Sequence, residues 1–363
     1  MPSHGMPGEL TKVGRDGSVI LADRQLHLDA LKLVGSQLIL LHHFSAYGPM
    51  ADAVAEIAPG TTRWLFDYAR MAVQIFLVVG GFLAVQGLNS VAQSEGKVLL
   101  AIGRRYLRLV LPFMAALLFA VFSASLSRYW LSADFVPAAP STGQVVAHAL
   151  LLHGILGQAS LSAGIWYVAI DFQLFAGLAL LLWGGQRSKR PWLAPALVLG
   201  IVAASLFGFN RDEAWDNWAP YFFGAYGLGV LVYWIRQRSR PWSMLVLLGG
   251  LVLLALFVDF RTRIALALAV ALLLAMAPRG RLASQGLPAW LVRATQILGR
   301  SSYAVFLLHF PVLMLVSALY VSLGWSGPGP AMTGLALGWT ASVVLGLAFE
   351  RWVERPLARL QLA

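Results

Sequence analysis

Long apolar runs alternate with short polar segments along the whole chain. A run of about 20 apolar residues, coiled as an α-helix, crosses the ~30 Å hydrocarbon core of a bilayer. Ten runs reach or approach that length, at residues 28–50, 71–90, 106–127, 164–183, 192–209, 219–235, 242–258, 262–278, 297–320 and 331–350. The pattern predicts an all-α polytopic membrane protein with about ten transmembrane helices and no soluble domain.

The polar segments predict how these helices are oriented. Ten spans place both termini on one side, where 21 of the 27 Lys and Arg residues fall, and the other six lie opposite. Such an excess marks cytoplasmic loops. We therefore expect a cytoplasmic N-terminal segment at 1–27, a transmembrane domain at 28–350 and a cytoplasmic C-terminal tail at 351–363. Residues 1–27 lack an apolar core, and we expect no cleavable signal peptide there.

Composition narrows the possible chemistry. The net charge of +11 is accounted for mostly as an orientation signal, and we expect no nucleic-acid partner. The chain has no Cys, which excludes disulfides, thiol nucleophiles and thiolate metal sites, and we expect no metal. The predicted outer segments RYWLSADFVPAAP and DEAWDNWAP combine acids with aromatic residues. An interfacial aromatic belt is the favoured interpretation, and a sugar-binding surface is the alternative.

Two ionisable residues share one face of the first predicted helix. Lys32 and His43 are eleven residues apart, which is about 20° past three full turns and roughly 16 Å along the axis. Ionisable groups inside a membrane are rare and are functional by default. The alternatives are a Lys32 that extends to the headgroups and a histidine that packs against a neighbouring helix. His42 is rotated by about 100° and is expected to pack or support.

A basic cluster lies at the start of the third predicted span, in GRRYLRLVLP. Arg104 and Arg108 share a helix face, and Arg105 is adjacent. Guanidinium groups bind phosphates in bidentate fashion, so the cluster is a candidate anion site. A stop-transfer anchor explains it equally well.

Two further residues lie deep within predicted spans. Asp171 and His43 are each about seven residues, or roughly 10 Å, from the predicted outer surface. A carboxylate at the depth of an imidazole could orient it as the second member of a dyad. His309 lies near mid-membrane beside Pro311 and is expected more often to accompany a helix kink than to catalyse.

These motifs, in this order, resemble the membrane-bound acyltransferase-3 family, which O-acylates bacterial polysaccharides, lipopolysaccharide and related glycans. RQLHLDALKLVGSQLILLHHF resembles the family's first-helix signature of an acid, a basic residue and a histidine, here Asp29, Lys32 and His43. RRYLRLVLP resembles its Arg-x-x-Arg motif, and IFLVVGGFL its Ser-Gly-Phe segment. IWYVAIDFQLF resembles its Trp…Glu-x-Gln-x-Tyr segment, and LGRSSYAVFLLHFPV and ERWVERP its closing motifs.

The resemblance covers residues 24–357, with three departures from the family pattern. Gly80 stands where the family usually has Ser, Asp171 where it has Glu, and Phe175 where it often has a hydroxylated aromatic residue. The chain is expected to be the stand-alone form, without the esterase-like domain of some members.

The resemblance implies transfer of an acyl group, expected to be acetyl, from cytoplasmic acyl-CoA to a sugar hydroxyl. The chain is similar to acetyltransferases of exopolysaccharide assembly, including those that acetylate xanthan-like repeat units. Acetyl-CoA would be a co-substrate, with no permanently bound cofactor. Expected partners are a polysaccharide or lipid-linked oligosaccharide acceptor, the lipid bilayer and other polysaccharide-assembly proteins. The expected location is the bacterial inner membrane, with many passes and both termini cytoplasmic.

The resemblance also implies roles for individual residues. The catalytic set would be His43, Asp171 and Lys32, with His43 either a general base or a transient acyl carrier. Lys32 could polarise the thioester carbonyl. The acyl-CoA phosphates would be held by Arg104, Arg105 and Arg108, with Lys32 continuing the cationic line. The expected supporting residues are Asp29, His42, Trp166, Tyr303 and His309.

Two other classes of protein remain as alternatives. A proton-coupled transporter would also use intramembrane His, Asp and Lys, but such proteins usually show inverted repeats and broken helices, and neither pattern is visible. A structural subunit of a polysaccharide export complex would leave Lys32 and His43 unexplained.

Overall fold

The structure is a computed structural model that describes residues 12–13, 19–20, 26–89, 94–278 and 286–360. Most of the predicted segment 1–27, and residues 361–363 of the predicted tail, lie outside the described residues. Apart from a two-residue antiparallel pair, Lys12–Val13 with Val19–Ile20, the regular structure of the described chain is helical.

The helices follow one another with short connections. The first half of the chain contains α1 Leu26–Ala46, α2 Pro49–Ile57, α3 Pro59–Tyr68, α4 Val73–Leu88, α5 Glu95–Ser127, α6 Thr142–Ala149 and α7 Trp166–Arg187. The second half contains α8 Leu193–Phe207, α9 Ala219–Ile235, α10 Pro241–Val258, α11 Thr262–Met276, α12 Ala289–Arg300, α13 Ser302–Ser322, α14 Pro328–Phe349 and α15 Arg355–Leu360. Shorter turns lie at Ala69–Ala72, Phe209–Arg211, Glu213–Trp215 and Glu350–Glu354.

The predicted fold class is confirmed. Each of the ten predicted spans overlaps one main helix, namely α1, α4, α5, α7, α8, α9, α10, α11, α13 and α14. Within the described chain, seven helical segments are long and apolar enough to cross a membrane. Helices α9 and α11 are apolar but shorter. The protein is a multi-pass integral membrane protein, and ten crossings with cytoplasmic termini stay a prediction.

The centre of the bundle is formed by α4, α9 and α13, whose residues are mostly buried. Glycines let α4 and α9 approach closely, since a Cβ at Gly81 would collide with the backbone carbonyl of Tyr226. A Cβ at Gly229 would likewise collide with the carbonyl of Val78. Small residues at such crossings are how membrane helices pack backbone to backbone.

The outer helices present apolar side chains outward. On α10, Val246, Leu247 and Phe257 are largely exposed, which suits contact with lipid chains. Helix α1, which carries Lys32 and His43, packs against α4 and α13.

Two helix boundaries differ from prediction. The third predicted span begins at residue 106, but α5 begins at Glu95 with Ser94 as its N-cap, whose hydroxyl accepts a hydrogen bond from the Lys97 amide. The arginine cluster thus lies inside a continuous helix. The predicted span 297–320 is divided at Ser301, where α12 ends and α13 begins.

Candidate active site

A pair of buried imidazoles joins two helices that are far apart in sequence. His43 lies in the last turn of α1, and His309 lies near the middle of α13. His43 Nδ1 is 3.0 Å from His309 Nε2, and the two residues are only 7% and 1% exposed. His309 is therefore the imidazole partner of His43, not only a side chain beside a proline.

Backbone carbonyls fix which nitrogen of each ring carries a proton. His309 Nδ1 lies 2.7 Å from the Phe306 carbonyl, and His43 Nδ1 lies 3.0 Å from the Ile39 carbonyl. A carbonyl oxygen only accepts, so both Nδ1 atoms carry the hydrogen. His309 Nε2 then accepts from His43 Nδ1–H. The arrangement leaves the lone pair of His43 on Nε2.

Aromatic side chains enclose the His43 ring. Tyr47 stacks on it with centroids 5.8 Å apart, and Phe310 packs edge-on at 6.4 Å. Phe135 stacks on Tyr47 and also packs against Phe310. This apolar enclosure holds the ring in one orientation and keeps bulk water away from it, which strengthens electrostatic interactions there.

Gly164 brings the loop before α7 against the same imidazole. It has φ +81°, a conformation that favours glycine, and a Cβ built on it would lie 3.4 Å from His43 Cε1. Neither Gly164 nor Tyr47 was identified from sequence. The only local sequence signal for Gly164 was its position at the start of the apolar run, directly before Ile165 and Trp166.

The other polar residues of the first-helix motif either pair with one another or connect α1 to a neighbouring helix. Lys32 Nζ lies 3.0 Å from Asp29 Oδ1, and Asp29 is buried where Gly299 of α12 meets its backbone. His42 Nδ1 donates to the Leu65 carbonyl at 3.3 Å and connects α1 to α3. Lys32 and His42 thus have distinct surroundings from the His43 ring.

The predicted dyad of His43 and Asp171 is corrected by the structure. Asp171, buried on α7, accepts a hydrogen bond from Arg105 Nη2 at 2.5 Å, while the partner of His43 is His309. A full positive charge satisfies a buried carboxylate better than a neutral imidazole does. The Arg105 guanidinium also lies over the Phe175 ring at 5.3 Å. Depth in the membrane had suggested the dyad, but depth does not fix which way each helix face points.

Tyrosines surround the Arg105–Asp171 ion pair. Tyr167, Tyr226 and Tyr303 all lie close enough to interact electrostatically with both charges. The Tyr303 hydroxyl donates to the Leu109 carbonyl at 3.0 Å, which joins α13 to α5. Gly80 faces the same cluster, since its Cβ position lies 3.5 Å from Tyr226 and 3.8 Å from Asp171 Oδ1.

The arginine cluster divides between two environments. Arg104 and Arg108 are exposed, whereas Arg105 is committed to Asp171. Arg108 is near enough to interact with Glu354 in the turn after α14. The two exposed guanidiniums are the members of the cluster that a phosphate could reach.

Trp166, the remaining predicted residue, begins α7 and stacks on Phe222 of α9 with centroids 5.3 Å apart. The neighbouring Tyr167 packs against Phe306, which in turn packs against His309. Among the described residues, no three His, Asp or Glu side chains are grouped in a way that could hold a metal ion.

Comparison with known protein families gives a match over most of the chain. A family described as an acyltransferase domain, acyltransferase-3, matches residues 26–350. The chain belongs to the acyltransferase-3 family. The predicted activity class is confirmed: the protein is a membrane-bound O-acyltransferase. Comparisons with curated proteins and with solved structures gave no match.

Proposed function

We propose that this acyltransferase-3 protein transfers an acetyl group from cytoplasmic acyl-CoA to a sugar hydroxyl of an exopolysaccharide or lipid-linked glycan. We further propose that it does so in the bacterial inner membrane, with both termini cytoplasmic. The observation that carries the chemistry is the buried contact between His43 and His309, because it leaves His43 Nε2 free to act.

The proposed reaction begins with the sugar hydroxyl near His43 Nε2. As the hydroxyl oxygen attacks the thioester carbonyl, Nε2 takes its proton, and the bond from the carbonyl carbon to sulfur breaks. His43 then returns the proton to the CoA thiolate as it leaves. The imidazolium formed in between is stabilised by His309 Nε2 and the Ile39 carbonyl, the orienting role that a carboxylate has in a catalytic triad.

The same lone pair could instead carry the acyl group. In that route Nε2 attacks the thioester and CoA leaves as the thiolate, which gives an acyl-imidazolium. The sugar hydroxyl then takes the acyl group, its proton passes to the CoA thiolate, and the neutral imidazole is restored. The two routes differ in one observable. Only the carrier route forms an acylated protein when acetyl-CoA is supplied without acceptor.

The basic residues on the predicted cytoplasmic side of the membrane support the proposed donor site. Arg104 and Arg108 are exposed and would hold the CoA phosphates. Lys32, on the same face of α1 as His43 but about three turns away, would continue this positive path towards His43. Arg105 would contribute through its ion pair with Asp171, which fixes α5 to α7 beside the path.

The test is acetyl transfer by purified protein, with radiolabelled acetyl-CoA and a lipid-linked glycan acceptor. His43→Ala should lose at least a hundredfold in turnover, because a positioned general base contributes about 10²–10⁴-fold. His42→Ala is the matched control, on the same turn but directed to Leu65, and should lose only a few-fold. A His43→Ala protein with near wild-type turnover would remove this histidine from the chemistry.

A further inference from the structure

A second site lies at the end of the bundle where α1 ends and α7 begins. A cavity of about 260 Å³ is formed by the start of α7, the segment before α9 and the turn at residues 151–155. Its polar lining consists of His153, Gln173, Asp216 and Asn217, and Trp166 is among its aromatic walls. The volume is near the lower end of the ~300–1,000 Å³ typical of ligand pockets, which suits one small ring.

His153 is the unusual member of this lining. It is 1% exposed, yet neither ring nitrogen has a hydrogen-bond partner in the described structure. Burial, and secondarily the neighbouring His148, lower the pKa of His153 to about 4, so the ring is neutral at pH 7. Leaving such a group without a partner costs about 1–3 kcal/mol. A ligand with hydroxyl groups, each both donor and acceptor, would satisfy it.

The position of His153 is fixed by its surroundings. Its ring stacks on His148 with centroids 4.3 Å apart and planes within 6°. His148 donates from Nδ1 to the Gln144 carbonyl and accepts from the Leu161 amide at Nε2. Of the two rings, His153 is the one that lines the cavity and whose nitrogens have no hydrogen-bond partner in the described structure. The site is preorganised, which reduces the entropy lost on binding.

The opposite wall is held just as firmly. Gln173 accepts from the Ala219 amide at 3.0 Å and donates to the Asn217 carbonyl, which pins this segment to α7. Asn217 donates to Asp216 at 2.8 Å. A Cβ at Gly154 would come within 2.5 Å of Asn217 Oδ1, so a larger residue there would have to displace the Asn217 side chain.

The lining indicates the charge of the ligand. Within the part of the chain that the structure describes, the cavity wall includes the Asp216 carboxylate but neither Lys nor Arg. An anionic sugar would meet repulsion there, whereas a neutral sugar would find acceptors and donors. The aromatic walls Trp166 and Phe222 supply the apolar surface that a sugar ring also needs.

The cavity is close to the reaction centre without including it. Trp166 follows Gly164, which touches His43, by two residues, or at most about 7 Å of chain. His43 does not line the cavity. We propose that this cavity binds one neutral sugar residue of the acceptor, adjacent to the residue that is acylated. This inference rests on the proposed function for the identity of the acceptor.

The test is direct sugar binding, measured by saturation-transfer NMR on the purified full chain. The probes are methyl glucoside and methyl mannoside, with glucuronic acid as the anionic counterpart, in a detergent without a sugar headgroup. Saturation transfer to the neutral sugars is expected for the wild type and for His43→Ala. His153→Phe keeps the stacked ring and its volume but removes both nitrogens, and should weaken the signal at least fivefold.

The second lining variant is chosen at an exposed residue, so that a loss of binding cannot be explained by misfolding. Asp216→Ala changes an exposed side chain and should also weaken binding, while Glu213→Ala, three residues away and outside the lining, should not. The proposal is overturned if the wild type shows no transfer, if both lining variants bind like the wild type, or if glucuronic acid binds equally well. Sugar binding without acetyl transfer would refute the proposed function and leave this site standing. If acetyl transfer were unchanged in both lining variants, this site would be refuted and the proposed function would stand.

Discussion

His309→Phe is the most informative single change at the proposed reaction centre. Phe fills nearly the same volume, so the packing of α13 against α1 is preserved. It removes the Nε2 lone pair that lies 3.0 Å from His43 Nδ1. His43 then keeps only the Ile39 carbonyl as an acceptor for its Nδ1 hydrogen.

The expected magnitude follows from the charge state of the ring. The contact between His309 and His43 matters most when His43 is an imidazolium, and a hydrogen bond to a charged group contributes about 1.5–3 kcal/mol. Losing it from the transition state should lower kcat roughly 10- to 150-fold. The KM for acyl-CoA should stay unchanged, because neither histidine is part of the proposed phosphate contacts.

The assay is steady-state acetyl transfer in detergent, at matched protein levels. His309→Gln is the decisive companion, since its amide oxygen can reach the position of the imidazole Nε2 and accept the same hydrogen. We expect it to recover turnover to within a few-fold of the wild type. Near wild-type kcat in His309→Phe would refute the orienting role, and equal losses in both variants would indicate packing alone.

Three other predictions test the donor path, the topology and the bundle centre. Arg108→Ala should raise the KM for acyl-CoA at least tenfold, since one charge-assisted phosphate contact contributes about 1.5–3 kcal/mol; an unchanged KM would leave only an anchoring role. Reporter fusions after residues 187 and 214 should report cytoplasm and periplasm respectively, and agreement between them would contradict the ten-span topology. Gly229→Ala should sharply lower thermal stability in detergent, because its Cβ would meet the Val78 carbonyl; an unchanged melting temperature would show that α4 and α9 can separate freely.

Much of the architecture followed from the sequence because its cause is local. A helix in lipid must satisfy its own backbone hydrogen bonds, so an apolar run of sufficient length can only be a helix. Each of the ten runs is mostly helical in the structure, although the run 297–320 is divided at Ser301. Where prediction missed, at the start of α5, the extra turns beginning at Glu95 place a short apolar stretch, VLLAI, between Glu and Lys on one side and two Arg on the other, and the predicted span began only after those arginines.

The first-helix motif was also accessible from sequence, because 3.6 residues per turn relate Lys32 to His43 without any tertiary information. The ordered motifs placed the chain in its family, and the match to residues 26–350 bears this out. Periodicity could say that Lys32 and His43 share one face of the helix. It could not say what His43 faces.

Only the tertiary structure decided the partners. His309 is 266 residues from His43, and Arg105 is 66 residues from Asp171. Equal depth in the membrane suggested Asp171 for His43, but each helix can still rotate about its axis, and rotation decides which side chains meet. The buried carboxylate is stabilised most by a full positive charge, which Arg105 supplies. His43 was left to a neutral imidazole, whose tautomer two backbone carbonyls determine, and that choice directs the free lone pair to Nε2.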